Sequence, residues 1–203
     1  MPVGPHPRPW PDDPRLDPEL LAQGDTRNVV DRFRYWRLEA IVDALRTSRV
    51  PLHIAVENVE HDLNIGSIVR TANAWNVAGV HIVGRRRWNR RGAMVTDRYL
   101  DIAHHPDVAS FGAWAAAEGL PVLAVDVVPG AVPLEGFALP EACVLLFGQE
   151  GPGLSSAALQ VAQAVLSITQ HGSTRSLNVA AAAAVAMFAW RIQHPGLPPA
   201  PDG

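Results

Sequence analysis

From residue 52 to residue 193 the chain alternates short apolar runs with longer segments of helical period, and that alternation commits it to a layered α/β fold. The expected strands are residues 52–57, 79–83, 99–103, 122–127, 143–147 and 164–168. The expected helices are residues 65–76, 108–118, 155–161 and 177–193. Several of the strands are apolar throughout, as happens when helices cover both faces of a parallel sheet. An open, largely parallel sheet of five or six strands flanked by helices follows. On such a sheet ligands lie beyond the carboxyl ends of the strands, so the residues after each strand carry the functional question.

The ends read differently. Seven of the 18 prolines fall in residues 1–18 and four in residues 195–203, which marks both as extended tails. Residues 25–48 suggest a helix, with Val29, Val30, Phe33, Leu38, Ile41, Val42 and Leu45 as its apolar stripe. Arg27, Arg32, Arg34 and Arg37 lie on its polar face, where they serve solvation or RNA contact. The expected organisation is a flexible segment 1–24, a helical extension 25–50, a main domain 51–194 and a tail 195–203.

Composition removes several classes of function. All 17 basic residues are arginine, an excess that a GC-rich genome explains ahead of any functional reading. Without lysine there is no P-loop and no Schiff-base chemistry. No apolar run reaches the ~20 residues of a membrane span, and the N-terminus has no signal-like apolar core, so a cytoplasmic location is expected. Cys143 reads as a small core residue. His61, His104, His105 and His171 lack metal-ligand spacing, and no metal site is expected. The net charge is −3, yet Arg85, Arg86, Arg87, Arg90 and Arg91 crowd around Trp88. That patch is either a phosphate-binding surface with a stacking indole or a solvated loop.

Three blocks depart from plain packing. The first is N-I-G-S-I-V-R-T, residues 64–71. Asn64 is placed to cap a helix, while Gly66 costs ~1 kcal/mol relative to alanine unless a backbone or a ligand approaches it closely. Arg70 projects from the same helix face as Gly66. The second is F-G-Q-E-G-P-G, residues 147–153, following the most apolar strand. Three glycines exceed what a strand–turn–helix connection needs, and their exposed backbone suits the polar edge of a small cofactor. The spacing does not match a G-x-G-x-x-G dinucleotide site. Ser155 then caps the next helix. The third block is S-L-N-V-A-A-A, residues 176–182. Ser176 makes sense as a cap; Asn178 is less well explained inside a helix. The alanine run after it permits close packing, in a core or across a dimer.

In this order and at these positions the blocks resemble the SpoU branch of the SPOUT RNA methyltransferases, over roughly residues 52–193. The resemblance implies an α/β fold whose last two blocks form a C-terminal trefoil knot, which general topology rules would not suggest. It also implies a homodimer packed through the C-terminal region and S-adenosylmethionine bound in the knot. It places Arg70, Asn64, Glu150, Ser176 and Asn178 on active-site positions, and Val125, Gly148, Ile168, Ser176 and Leu177 on cofactor-binding positions. One departure stands out: Thr169-Gln170 occupies the place of the family's Pro-Met.

The implied activity is methyl transfer from S-adenosylmethionine to a ribose 2′-OH of RNA. The short N-terminal element fits tRNA better than rRNA. Guanidinium scarcely deprotonates, so Arg70 is read as stabilising the developing alkoxide rather than as a base. The alternative from a different class is a knotted RNA-binding protein without catalysis. Suitable residues at every nominated position argue against it.

Overall fold

The computed structural model describes all residues except Met1, Val59, Glu60, Arg85, Arg86, Arg87, Glu150, Arg175 and residues 198–203, together with all of Arg91 but its side chain. The chain divides into two compact units, Met1–Arg49 and Val50–Leu197.

In the first unit residues 25–48 are not one helix. Helix α1 (Pro18–Gln23) is followed by a 3-10 turn, Asp31–Phe33, and only then by helix α2 (Leu38–Arg46). The cause is Asp25, a fully buried carboxylate that accepts hydrogen bonds from the backbone N–H groups of Arg27 and Tyr35 and from the Arg27 guanidinium. A side chain that captures local N–H groups this way competes with helix formation. Tyr35 takes a left-handed φ of 62°, which no helix tolerates. The proline-rich start is also held. Val3 exchanges backbone hydrogen bonds with Asp25, His6 N–H donates to Leu21, and the Tyr35 hydroxyl donates to the Gly4 carbonyl.

The second unit is built on β1 (Val50–Glu57), β2 (Val77–Val83), β3 (Ile102–His105), β4 (Val122–Val125), β5 (Val132–Pro133), β6 (Cys143–Phe147) and β7 (Ala164–Ser167). Among the described residues these seven strands form one sheet in the order β3-β2-β1-β6-β4-β7-β5, with every pairing parallel. Two expectations shift. The edge strand expected at 99–103 begins at Ile102, because Thr96–Tyr99 is taken up by a 3-10 turn. The two-residue β5 is too short to leave a periodic signal.

Strand alternation sorts the side chains onto two faces. On one, Cys143, Leu145 and Phe147 pack with Ile54, Val56 and Ile82 beneath helices α3 (Asp62–Ala74) and α6 (Val179–Gln193). On the other, Val144 and Leu146 pack with Ala55 and Val83 beneath α4 (Val108–Ala117) and α5 (Ser156–Val161). All five residues of β6 are buried, as befits the central strand of a doubly covered sheet.

Gly66 has its explanation in a backbone. A Cβ there would strike the main chain of Gly92 and Ala93, which lies directly across α3. Gly66→Ala is therefore expected to destabilise the fold by about 1–3 kcal/mol despite alanine's better helix propensity. Denaturant unfolding of the variant beside the wild type measures this.

Candidate cofactor pocket and active site

Sheet register brings the site together. Phe147 of β6 lies level with Val56 of β1 on one side and Val125 of β4 on the other, while Val125 lies level with Leu166 of β7. The turns that leave these strands therefore start from one edge. A pocket of about 320 Å³ opens there, within the usual range of ~300–1,000 Å³ for small-ligand sites.

Its near wall is the glycine loop, through Gly148, Gln149, Gly151 and Gly153. A Cβ at Gly148 would collide with the backbone of Gly153 and Leu154, because the loop doubles back on itself through a bridge between Gln149 and Gly153. Gly151 and Gly153 take φ values of 89° and 73°, where side chains are strained. Each of the three glycines thus has a separate geometric reason. Ser155 ends the loop by capping α5, its hydroxyl accepting from the Ala158 N–H.

The far wall comes from residues after β7. Ile168, Gln170, Ser176, Leu177 and Asn178 all line the pocket. Where a proline would fix the chain at 169, Thr169 donates both its N–H and its hydroxyl to the Glu135 carboxylate, at 2.9 and 3.1 Å. A hydrogen bond from its own backbone N–H, then those from the Thr169 N–H and hydroxyl, hold Glu135 below the usual carboxylate range. The loop is tethered by hydrogen bonding instead of ring geometry.

The start of α6 lies two residues later than the sequence suggests. Asn178, not Ser176, caps α6: its side-chain oxygen accepts from the N–H groups of Ala180 and Ala181. That fixes which way the amide points, and the Asn178 NH₂ donates to the Asn64 side-chain oxygen at 3.1 Å. Asn64 in turn is not a cap. α3 starts after His61, and Asn64 stands within its first turn, free to face Asn178. One asparagine thus joins the first and third blocks at the pocket rim. Asn178→Ala removes the cap and this link together. A loss of about 1 kcal/mol in stability is expected, with a larger fall in turnover than in cofactor affinity. Unfolding curves and steady-state kinetics on one preparation read both.

Of the nominated residues, Val125, Gly148, Ile168, Ser176 and Leu177 all line the pocket. Arg70 is exposed on α3 and pairs with no carboxylate among the described residues. Glu150, Arg85, Arg86 and Arg87 lie outside the described residues, as does the Arg91 side chain. Arg90 is mostly exposed and pairs with Asp97 at 3.3 Å. Trp88 packs partly against the core, which leaves its indole less open for stacking than the sequence suggests. Sequence reading passed over Asp126, which lines the pocket. Its position directly after β4 is the signal, hidden by a strand expected to run to residue 127.

A second polar cluster lies on the sheet face under α4. His53, His81 and His105 form a row across β1, β2 and β3, with contacts of 3.0 and 2.9 Å. Trp114 covers the row, its ring 3.9 Å from that of His81. Both nitrogens of His81 are used by its neighbours, so the row is a hydrogen-bonded string rather than a ligand set. Among the described residues no three or more His, Cys, Asp or Glu side chains are arranged so that they could hold a metal ion.

A parallel sheet with helices on both faces, and a glycine-lined pocket at its carboxyl edge, defines an α/β protein of the nucleotide- and cofactor-binding class. Within that class the chain belongs to the SpoU rRNA methylase family, whose model matches residues 51–188. It is 27% identical over 155 residues to the tRNA (guanosine(18)-2′-O)-methyltransferase of Escherichia coli K12, covering 75% of this chain and 68% of that protein. To the Thermus thermophilus enzyme of the same name it is 29% identical over 160 residues, covering 75% and 80%. The AdoMet-bound rRNA methyltransferase of Sinorhizobium meliloti superposes with a TM-score of 0.66 at 29% identity, over 73% of this chain and 59% of that one. A TrmH/SpoU tRNA-modifying enzyme of A. aeolicus shares the fold, with a TM-score of 0.70 at 21% identity over 79% and 83%. Among the described residues no helix is long and apolar enough to cross a membrane.

Proposed function

We propose that the chain methylates a ribose 2′-OH of RNA, with S-adenosylmethionine as methyl donor and tRNA as the preferred substrate. The observation that carries the reading is the convergence of all three sequence blocks on one pocket edge, through Asn178 and the glycine loop. The pocket's chemistry fits the cofactor: apolar Val125, Phe147, Ile168 and Leu177 suit the faces of an adenine, and glycine-rich backbone suits its polar edge. Val125, Gly148, Ile168, Ser176 and Leu177 are the residues that would hold it. When bound, the cofactor supplies a methyl group activated by a positively charged sulfur.

The protein's part is positioning and electrostatics. Holding the 2′-OH in line with the methyl group is worth up to ~7–11 kcal/mol in effective molarity. Arg70 stabilises the charge that develops on the 2′-oxygen and fixes the neighbouring phosphate, while the proton passes to a phosphate oxygen or water. Asn64 and Asn178 orient the ribose, Ser176 shapes the loop, and Glu150 orients Arg70. Arg85, Arg86, Arg87, Arg90 and Arg91 bind the RNA backbone.

The same reading includes a trefoil knot formed by the loops after β6 and β7, and a homodimer. Support for the dimer is an exposed apolar stripe on α6, Val185, Phe188 and Ile192, spaced as one helix face. The work is placed in the cytoplasm, where tRNA is modified. Incubation with methyl-labelled S-adenosylmethionine and either tRNA or rRNA tests the proposal. Label is expected in tRNA, and an enzyme that binds the cofactor yet labels neither RNA would refute it.

A further inference from the structure

We infer that Asp126 is a positioning residue that holds the glycine loop in its ligand-binding shape, with Glu57 bracing the same loop from the other side. The inference rests on the reading of this pocket as the cofactor site. In the sheet β6 lies between β1 and β4, and each neighbour delivers one carboxylate to the loop that β6 feeds. Asp126, directly after β4, accepts from the Leu154 N–H at 2.8 Å. Glu57, the last residue of β1 and 4% exposed, accepts from the Ser155 N–H at 2.9 Å. Two consecutive backbone donors on the loop's return limb are thereby satisfied from opposite directions, by residues 28 and 98 positions away in sequence.

Asp126 holds the loop by contact as well as by hydrogen bonding. A Cβ on Gly153 would overlap the Asp126 carboxylate, so the loop backbone rests directly on it. The other carboxylate oxygen accepts from the Val127 N–H at 2.7 Å, which fixes the group's rotation. Asp126, Gly148 and Gly153 all line the pocket, so the carboxylate sets the shape of a wall that the ligand meets. With both oxygens engaged by backbone N–H groups, Asp126 is built to hold and not to take a proton from substrate.

The test is steady-state kinetics and calorimetric titration with S-adenosylmethionine on the full chain. Asp126→Ala is expected to raise KM and Kd for the cofactor by about ten-fold or more, the scale of one charge-assisted hydrogen bond. Its kcat at saturating cofactor should stay within about three-fold, since the reacting groups are untouched. Asp126→Asn, which keeps one acceptor, should fall between. A folded Asp126→Ala with unchanged KM would overturn the inference. If Asp126→Ala does not fold, Asp126→Asn decides it by the same KM criterion. A wild-type protein that fails to bind S-adenosylmethionine strikes the functional reading instead; wild-type binding with indifferent variants strikes only Asp126.

Discussion

Arg70→Ala is expected to slow methyl transfer by about 10²–10³-fold, the usual cost of deleting one preorganised donor to a developing oxyanion. Cofactor affinity should be unchanged, because Arg70 is not part of the pocket wall. The helix that carries it is rigid: Ile65, Ile68, Val69 and Ala72 of α3 are buried to 1% exposure or less, and Gly66 sits against the Gly92 backbone. The guanidinium therefore projects from a fixed base into solvent, where an RNA can reach it. Arg70→Lys keeps the charge but loses the planar fork, and should recover only part of the rate. Single-turnover kinetics with calorimetry on the same samples separates the two effects. A folded, cofactor-binding Arg70→Ala at near wild-type rate would remove this residue from the mechanism.

The second large effect is a loss of stability in acid, centred on the histidine row. Burial, then the neighbouring His53 and His105, push His81 down from 6.5 to about 3. His105 is lowered as well, by burial and by His104. The groups around the row are these histidines together with Trp114 and Phe111 of α4. Each neutral imidazole offers one donor and one acceptor, so the string is satisfied with all three rings uncharged. Above pH 6.5 His81 is neutral in both folded and unfolded chains and costs nothing. Between pH 6.5 and about 3 the unfolded chain takes up a proton that the folded one refuses, so stability falls as pH falls. At about 1.36 kcal/mol per pH unit, His81 alone removes about 2 kcal/mol between about pH 7 and pH 5. Urea unfolding at several pH values measures this against His81→Gln. The variant should start less stable at neutral pH and lose less on acidification; parallel pH dependences would contradict the assignment.

How much of this was legible depended on whether the determining contact is local. β6 and its loop announce themselves, because five consecutive apolar residues are followed by three glycines within six residues. Ser155 was readable as a cap for the same reason: the hydroxyl and the N–H it serves are three residues apart. Asn178 was misjudged because the helix starts two positions later than expected, which makes it and not Ser176 the cap. The continuous helix over residues 25–48 failed because apolar spacing says nothing about a buried Asp25 that claims the local N–H groups. Asp126, Glu57 and Glu135 act on partners 28, 98 and 34 residues away, and the histidines of the row are 28 and 24 residues apart. Parallel register alone brings such groups together, and a linear pattern does not carry register.

The central claim, methyl transfer to the ribose, is tested most directly by where labelled methyl goes. A methylated 2′-oxygen cannot attack the adjacent phosphate, so alkaline hydrolysis leaves that linkage intact. After reaction with methyl-labelled S-adenosylmethionine and exhaustive alkaline digestion of the tRNA, label is expected in alkali-resistant dinucleotides. Label in mononucleotides only would mean methylation of a base, and would contradict the account.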